Sequence, residues 1–235
     1  MSETVLLLPG LMCDDAIWEH QSAALRGAGY QVLIPNFRGF DSLQAMAGAA
    51  LALTEGPVAV AGHSMGGRAA IETWALAPGR VTRLALLDTA AHPTGPHEQA
   101  SRMRLVHKAK AEGMAAACAD WLPPMLAPAN RTNAPVVKAM TDMVLRTTPE
   151  DFGRQQHALL NRRDLRPVLE TITAPTVFAT GRYDDHANVA QHEAMAALVP
   201  GHPPVTVFEE AGHMSPAESP EEVSDLLLAW MKRAG

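Results

Sequence analysis

The sequence predicts an α/β fold, a six-stranded, mainly parallel sheet flanked by helices. Three observations carry that expectation. Six short apolar runs rich in Val and Leu recur along the 235 residues. Most lack polar alternation, as strands covered on both faces do. Most are followed by a helical pattern, and strand–helix alternation builds parallel sheets with right-handed crossovers. The length suffices to bury a sizeable core, and 47 % apolar with 19 % charged residues excludes a disordered chain.

The elements follow in order. The first strand covers 5–8 and ends at Pro9-Gly10, with a helix over 16–27. A strand at 31–35 and a helix at 42–54 come next, then a strand at 58–61 and a helix at 65–77. The fourth strand, 84–87, stops at Asp88, and the fifth begins only at Thr176. That gap is too long for a simple crossover. It holds four helical patterns, near 98–113, 114–122, 133–147 and 149–160, interrupted by Pro123-Pro124 and Pro128. We expect a helical cap over 97–165, inserted after the fourth strand, with 1–96 and 166–235 forming the core. A run of helices that long needs a partner surface for its apolar faces. A fifth strand at 176–179, a helix at 189–198, a sixth strand at 205–208 and a helix at 221–233 complete the expected core.

Charge narrows the partners. The formal net charge is −6, which argues against nucleic acid held on a generally basic surface. The longest apolar run near the N-terminus is 5–8, without a preceding basic segment, so neither a membrane span nor a secretory signal is expected and the chain is expected to be cytoplasmic. Cys13 and Cys118 form no disulfide framework and lack metal-site spacing. From Glu98 to Arg166 there are 11 Lys and Arg against 7 Asp and Glu, a net +4 that leaves the remainder at −10. A positive cap docked on a negative body explains this plainly. A cap that meets an anionic substrate or an acidic carrier protein is the sharper explanation.

The chemistry centres on Gly62-His63-Ser64-Met65-Gly66, set between an apolar strand and a helix. In that context the turn is so tight that the glycines let the backbone pass and Ser64 is thrust above the sheet at a helix N-terminus. Without that context it would be an ordinary glycine-rich connection. A serine hydroxyl needs a base. Of ten histidines, His213 is the expected base, because Ala211-Gly212-His213-Met214 follows the last strand and so lies on the sheet edge that carries Ser64. His20, His107, His157 and His192 fall within helices, His63 adjoins Ser64 but points elsewhere, and His92 and His97 could line the mouth. The base needs a carboxylate. Asp184, after the fifth strand, is preferred over Asp185, with Asp88 third and otherwise expected to cap the turn into the cap. Two N–H donors must face a developing oxyanion. Met65 supplies one, and Leu11 is expected to supply the other from the loop after the first strand, with Met12 as second choice.

Leu7-Leu8-Pro9-Gly10, Asn36-Phe37-Arg38-Gly39, Gly62-His63-Ser64-Met65-Gly66-Gly67, Gly181-Arg182-Tyr183-Asp184 and Gly212-His213 together give a sequence that resembles the α/β-hydrolase superfamily. It looks like the compact bacterial branch of small-ester hydrolases and enol-lactonases. The resemblance implies Ser64 as nucleophile, Asp184 and His213 as its partners, and Leu11 and Met65 as oxyanion donors. Pro9-Gly10 stands where the family often has His-Gly, and since Val5 already begins the strand that leads to Gly10, the family's N-terminal hairpin is expected to be absent and six strands are expected, not eight.

The resemblance implies cleavage of a small-molecule carboxylic ester through an acyl-enzyme. Lactone opening, C–C bond hydrolysis, perhydrolysis and cyanohydrin lyase chemistry share the same triad, and a ligand-binding sensor is the non-enzymatic alternative. Met12, Met125 and Met214, with Trp121, are expected to line an adaptable apolar pocket. Any one of the other cap methionines, Met103, Met114, Met140 and Met143, is more readily explained as filling a gap between helices. No cofactor is implied. Ser64 stands where a dinucleotide-binding loop needs glycine, and Ala196 where a zinc-protease helix begun by His192-Glu193 needs its second histidine.

Overall fold

A computed structural model describes residues 3–232. In chain order the elements are β1 (Thr4–Leu8), α1 (Glu19–Gly27), β2 (Gln31–Leu33), α2 (Leu43–Leu51), β3 (Val58–His63), α3 (Met65–Leu76), β4 (Val81–Leu87), α4 (Glu98–Glu112), α5 (Met114–Trp121), α6 (Ala134–Leu145), α7 (Pro149–Leu160), α8 (Arg166–Leu169), β5 (Thr176–Gly181), α9 (Val189–Ala196), β6 (Val205–Phe208), α10 (Ser215–Glu218) and α11 (Pro220–Met231). Arg233, the expected end of the last helix, lies outside the described residues, as do the outermost residues of the expected core segments, 1–2 and 234–235. No helix among the described residues is long and apolar enough to cross a membrane.

The six strands form one sheet in the order β2-β1-β3-β4-β5-β6, and every pairing is parallel. All residues of β1, β3 and β5 are buried, as their unbroken apolar runs require. The edge strands β2 and β6 are short and half exposed, which limits unpaired sheet edge. The fourth strand begins three residues earlier than its apolar run, because Val81 pairs with Val58 although Thr82 and Arg83 are polar.

Register decides where the loops leave the sheet. Leu8 of β1 lies beside Gly62 of β3, His63 beside Leu87 of β4, and Gly181 of β5 beside Phe208 of β6. The turns carrying Leu11, Ser64, Asp88, Asp184 and His213 therefore emerge along one edge. The chain reverses direction across the sheet between β1 and β3, and ligands of open parallel sheets collect at such a switch point.

Helix ends are set locally. Ser42 caps α2 by accepting the Ala45 N–H, Thr148 caps α7 by accepting that of Asp151, and Asn188 and Gln191 form a reciprocal box on α9. The 16–27 pattern splits into a 3₁₀ turn, Asp15–Trp18, and α1. Between β4 and β5 stand the five helices α4 to α8, with Val106, Met140, Met143, Val144 and Phe152 buried. Gln155 of α7 binds the backbone of Met12 and Phe37. Arg146 and Arg163 pair with Asp14 and Glu72 of the surrounding structure at 2.7 and 2.6 Å.

Candidate active site

Ser64 occupies φ 55°, ψ −116°, backbone space that a non-glycine residue enters only when its surroundings hold it there. The holding contacts are its N–H to the Leu87 carbonyl at 2.9 Å and its carbonyl to the Thr89 hydroxyl at 2.7 Å. A Cβ on Gly66 would sit 2.1 Å from the Leu8 carbonyl oxygen, and one on Gly62 2.3 Å from that of Gly66. Both contacts are with backbone, so neither neighbour can yield.

Ser64, His213 and Asp184 come together. The Ser64 Oγ stands 2.8 Å from His213 Nε2, and His213 Nδ1 stands 2.7 Å from Asp184 Oδ2. A carboxylate can only accept, so Nδ1 carries the ring proton and Nε2 presents its lone pair to the hydroxyl. The other Asp184 oxygen accepts the His186 and Ala187 N–H groups at 2.8 and 2.9 Å, fixing the carboxylate. Burial disfavours the Asp184 charge, but His213 and these donors outweigh it and hold the carboxyl well below the usual range. Burial likewise opposes a charged His213, yet the Asp184 charge and hydrogen bond raise its pKa above 6.5.

Asp185 is exposed beside this group and lines a cavity, while Asp88 is fully buried. Asp88 does not cap the turn into the cap. One oxygen accepts the Gly181 N–H at 3.0 Å and the other the Ser215 hydroxyl, tying β4 to β5 and α10. Burial and the neighbouring Asp184 charge push its pKa well up.

The N–H groups of Leu11 and Met65 meet no acceptor among the described residues, and both residues line the cavity over Ser64. The Met12 N–H is taken by Gln155 Oε1 at 2.9 Å, so the second-choice donor is occupied.

Several positioning groups escaped the sequence reading. Buried His63 donates from Nε2 to the His213 carbonyl at 2.7 Å, and burial holds its pKa down to about 3. Glu218 accepts the N–H groups of Gly212 and Ala127 at 2.9 and 2.7 Å, together with those of Met214 and the Asn130 side chain. The His213 N–H donates to the Met125 carbonyl at 2.8 Å. The His213 loop is thus fastened to residues 125–130. No motif marks Glu218; only the fold brings its targets together.

The cavity measures about 490 Å³. Trp121 and Met125 line it as expected, but Met12 and Met214 do not. Both are buried in the hydrophobic core. Met103, Met114, Met140 and Met143 also lie outside the lining. Beside apolar Met65, Leu105, Met125 and Leu159 the cavity has Arg68, Arg102, Arg104 and Arg162 together with Glu98, Asp120 and Gln156.

The family model described as the alpha/beta hydrolase family matches residues 5–226. A search of curated proteins gave no match. Among solved structures the chain is similar to a thermophilic esterase from Thermogutta terrifontis, at 27 % identity and a TM-score of 0.91 over 99 % of this chain and 90 % of that one. It is similar to the enol-lactonase from Burkholderia xenovorans LB400, at 26 % identity and a TM-score of 0.88 over 99 % and 92 % of the two chains. A hydrolase from Pseudomonas aeruginosa PA01 superposes with a TM-score of 0.84 at 25 % identity, over 99 % and 91 %.

Proposed function

The chain belongs to the alpha/beta hydrolase family, and on that premise we propose that it is a serine hydrolase of small carboxylic esters working through an acyl-enzyme. The observation that carries this reading is the hydrogen-bonded series from Ser64 to His213 to Asp184 opening onto the cavity. The similarity to an esterase and an enol-lactonase supports the substrate class.

In this reading the Ser64 Oγ attacks the ester carbonyl carbon while His213 Nε2 removes its proton. The tetrahedral oxyanion is met by the Met65 N–H at the N-terminus of α3 and the Leu11 N–H of the loop after β1. Asp184 holds the imidazole orientation and stabilises the imidazolium without taking its proton. The carbonyl re-forms as the C–O bond to the leaving group breaks, and His213 returns the proton to that oxygen. A water, deprotonated by His213, then attacks the acyl carbon, and Ser64 leaves with the proton restored.

Lactone opening is the second reading, favoured by the similarity to the enol-lactonase. There the leaving oxygen stays tethered to the acyl group and the product is one hydroxy or oxo acid.

Ser64→Ala separates this proposal from a binding role. We expect the variant to fold and to lose at least about 10³-fold in kcat/KM on p-nitrophenyl acetate and butyrate. Wild-type turnover by the variant rules the proposal out.

A further inference from the structure

Arg68 stands one turn beyond Ser64 on α3, is only 7 % exposed, and lines the same cavity. Its guanidinium makes one hydrogen bond, from Nη1 to the His92 carbonyl at 2.9 Å. Nε and Nη2 meet no acceptor, and no carboxylate lies within ion-pair reach, among the described residues. A buried charge without a counter-charge is strongly disfavoured.

The surroundings worsen the imbalance. Arg102 and Arg162 lie nearby, and both are held by Glu98. That carboxylate also accepts the Gly95 N–H at 3.0 Å, and its pKa is held down to about 2. It is fully engaged by others. Asp120 is paired with Lys108 and Arg104, Asp88 is turned to Gly181 and Ser215, and Asp185 is exposed. Three guanidinium groups thus face one carboxylate, and Arg68 is the one that it does not hold. Burial and the Arg162 and Arg102 charges pull its pKa downward, the direction expected of a cation lacking its anion.

We propose that Arg68 anchors a carboxylate carried by the substrate, so that the bond cleaved at Ser64 belongs to an acidic ester or lactone. This rests on the hydrolase reading and adds the substrate's charge to it. A guanidinium fork matches a carboxylate in two parallel hydrogen bonds. Ser64 and Arg68 line the same cavity. Half esters of short dicarboxylic acids carry an ester and a carboxylate on one chain of graded length, as bridging the two residues requires. A free anionic small molecule is favoured over an acidic carrier protein, because the unpaired donors lie inside a cavity and not on an outer face.

The test compares monomethyl succinate, glutarate and adipate with neutral methyl esters of equal acyl length. The wild type is expected to prefer at least one half ester by tenfold or more in kcat/KM. Arg68→Met should erase that preference by at least tenfold, and Arg68→Lys should restore part of it. The melting temperature of Arg68→Met should hold or rise, since apolar replacement of an uncompensated buried cation is neutral or stabilising. A preference below tenfold in the wild type, or an equal fall on charged and neutral esters in Arg68→Met, overturns the proposal. Calorimetric binding of glutarate to Ser64→Ala, with and without Arg68→Met, keeps the two readings apart. Arg68-dependent glutarate binding, combined with a wild type that turns over no ester, sinks the hydrolase reading and leaves the anion site standing. Turnover of neutral esters without glutarate binding sinks the anion site alone.

Discussion

His213 must be neutral at Nε2 to take the Ser64 proton, so the pH dependence of kcat/KM reports its titration. The Asp184 charge and hydrogen bond raise that pKa above 6.5. Activity is therefore expected to fall on acidification along a limb whose midpoint lies above the usual histidine value. Asp184→Asn removes the charge that stabilises the imidazolium, so the limb should move to lower pH while the plateau drops by about 10²- to 10⁴-fold. A limb that stays in place in this variant excludes Asp184 as the partner of His213. These side chains were legible in the sequence because each sits in a short motif after a strand, where geometry leaves little choice. Met12 and Met214 were misread because adjacency in sequence to such a turn does not fix which way a side chain points. Arg68 carried no readable signal: a helical Arg faces the cavity or solvent according to how the helix is seated.

The elements were recognisable from periodicity, and their disagreements with the structure are local. β4 is longer than its apolar run because sheet pairing carries Thr82 and Arg83 along with Val81. The four-residue helices α8 and α10 escaped because a single turn has no period to detect. The turn between β3 and α3 is the least tolerant junction. Gly66→Ala places a methyl against the Leu8 carbonyl in a central strand, so we expect a loss of about 3 kcal/mol or more, or insoluble protein, read by urea unfolding. A Gly66→Ala variant of wild-type stability would mean that β1 and α3 are not this closely packed. Glu218 couples α10 to residues 125–130 and to the His213 loop through four donors. Glu218→Gln turns one acceptor into a donor facing N–H groups. We expect kcat to fall about tenfold with a smaller change in KM, and fluorophosphonate labelling of Ser64 to slow in parallel. Unchanged labelling would show that the loop keeps its place without the clamp.

The uneven charge distribution noted in the sequence serves two ends in the folded protein. Some cations between β4 and β5 tie that segment to the rest of the fold, as Arg146 does with Asp14 and Arg163 with buried Glu72. Others, Arg102 and Arg162, turn inward toward the cavity. Composition alone could not divide the basic residues between these tasks. Arg163→Met leaves Glu72, 1 % exposed, without its bidentate partner. We expect a loss of about 2 kcal/mol, below the range for a fully enclosed pair because Arg163 itself is half exposed. Arg166→Met, which breaks only the exposed pair with Asp164, should change stability little. Equal losses would place the insertion's anchorage elsewhere. The proposed reaction requires that a bond to Ser64 form and break during turnover. Rapid quenching of the protein with p-nitrophenyl butyrate, followed by peptide mass spectrometry, should find the butyryl mass increment on the peptide containing Ser64, matched by a burst of nitrophenol equal to the enzyme present. Ester turnover with neither the increment nor the burst would contradict it.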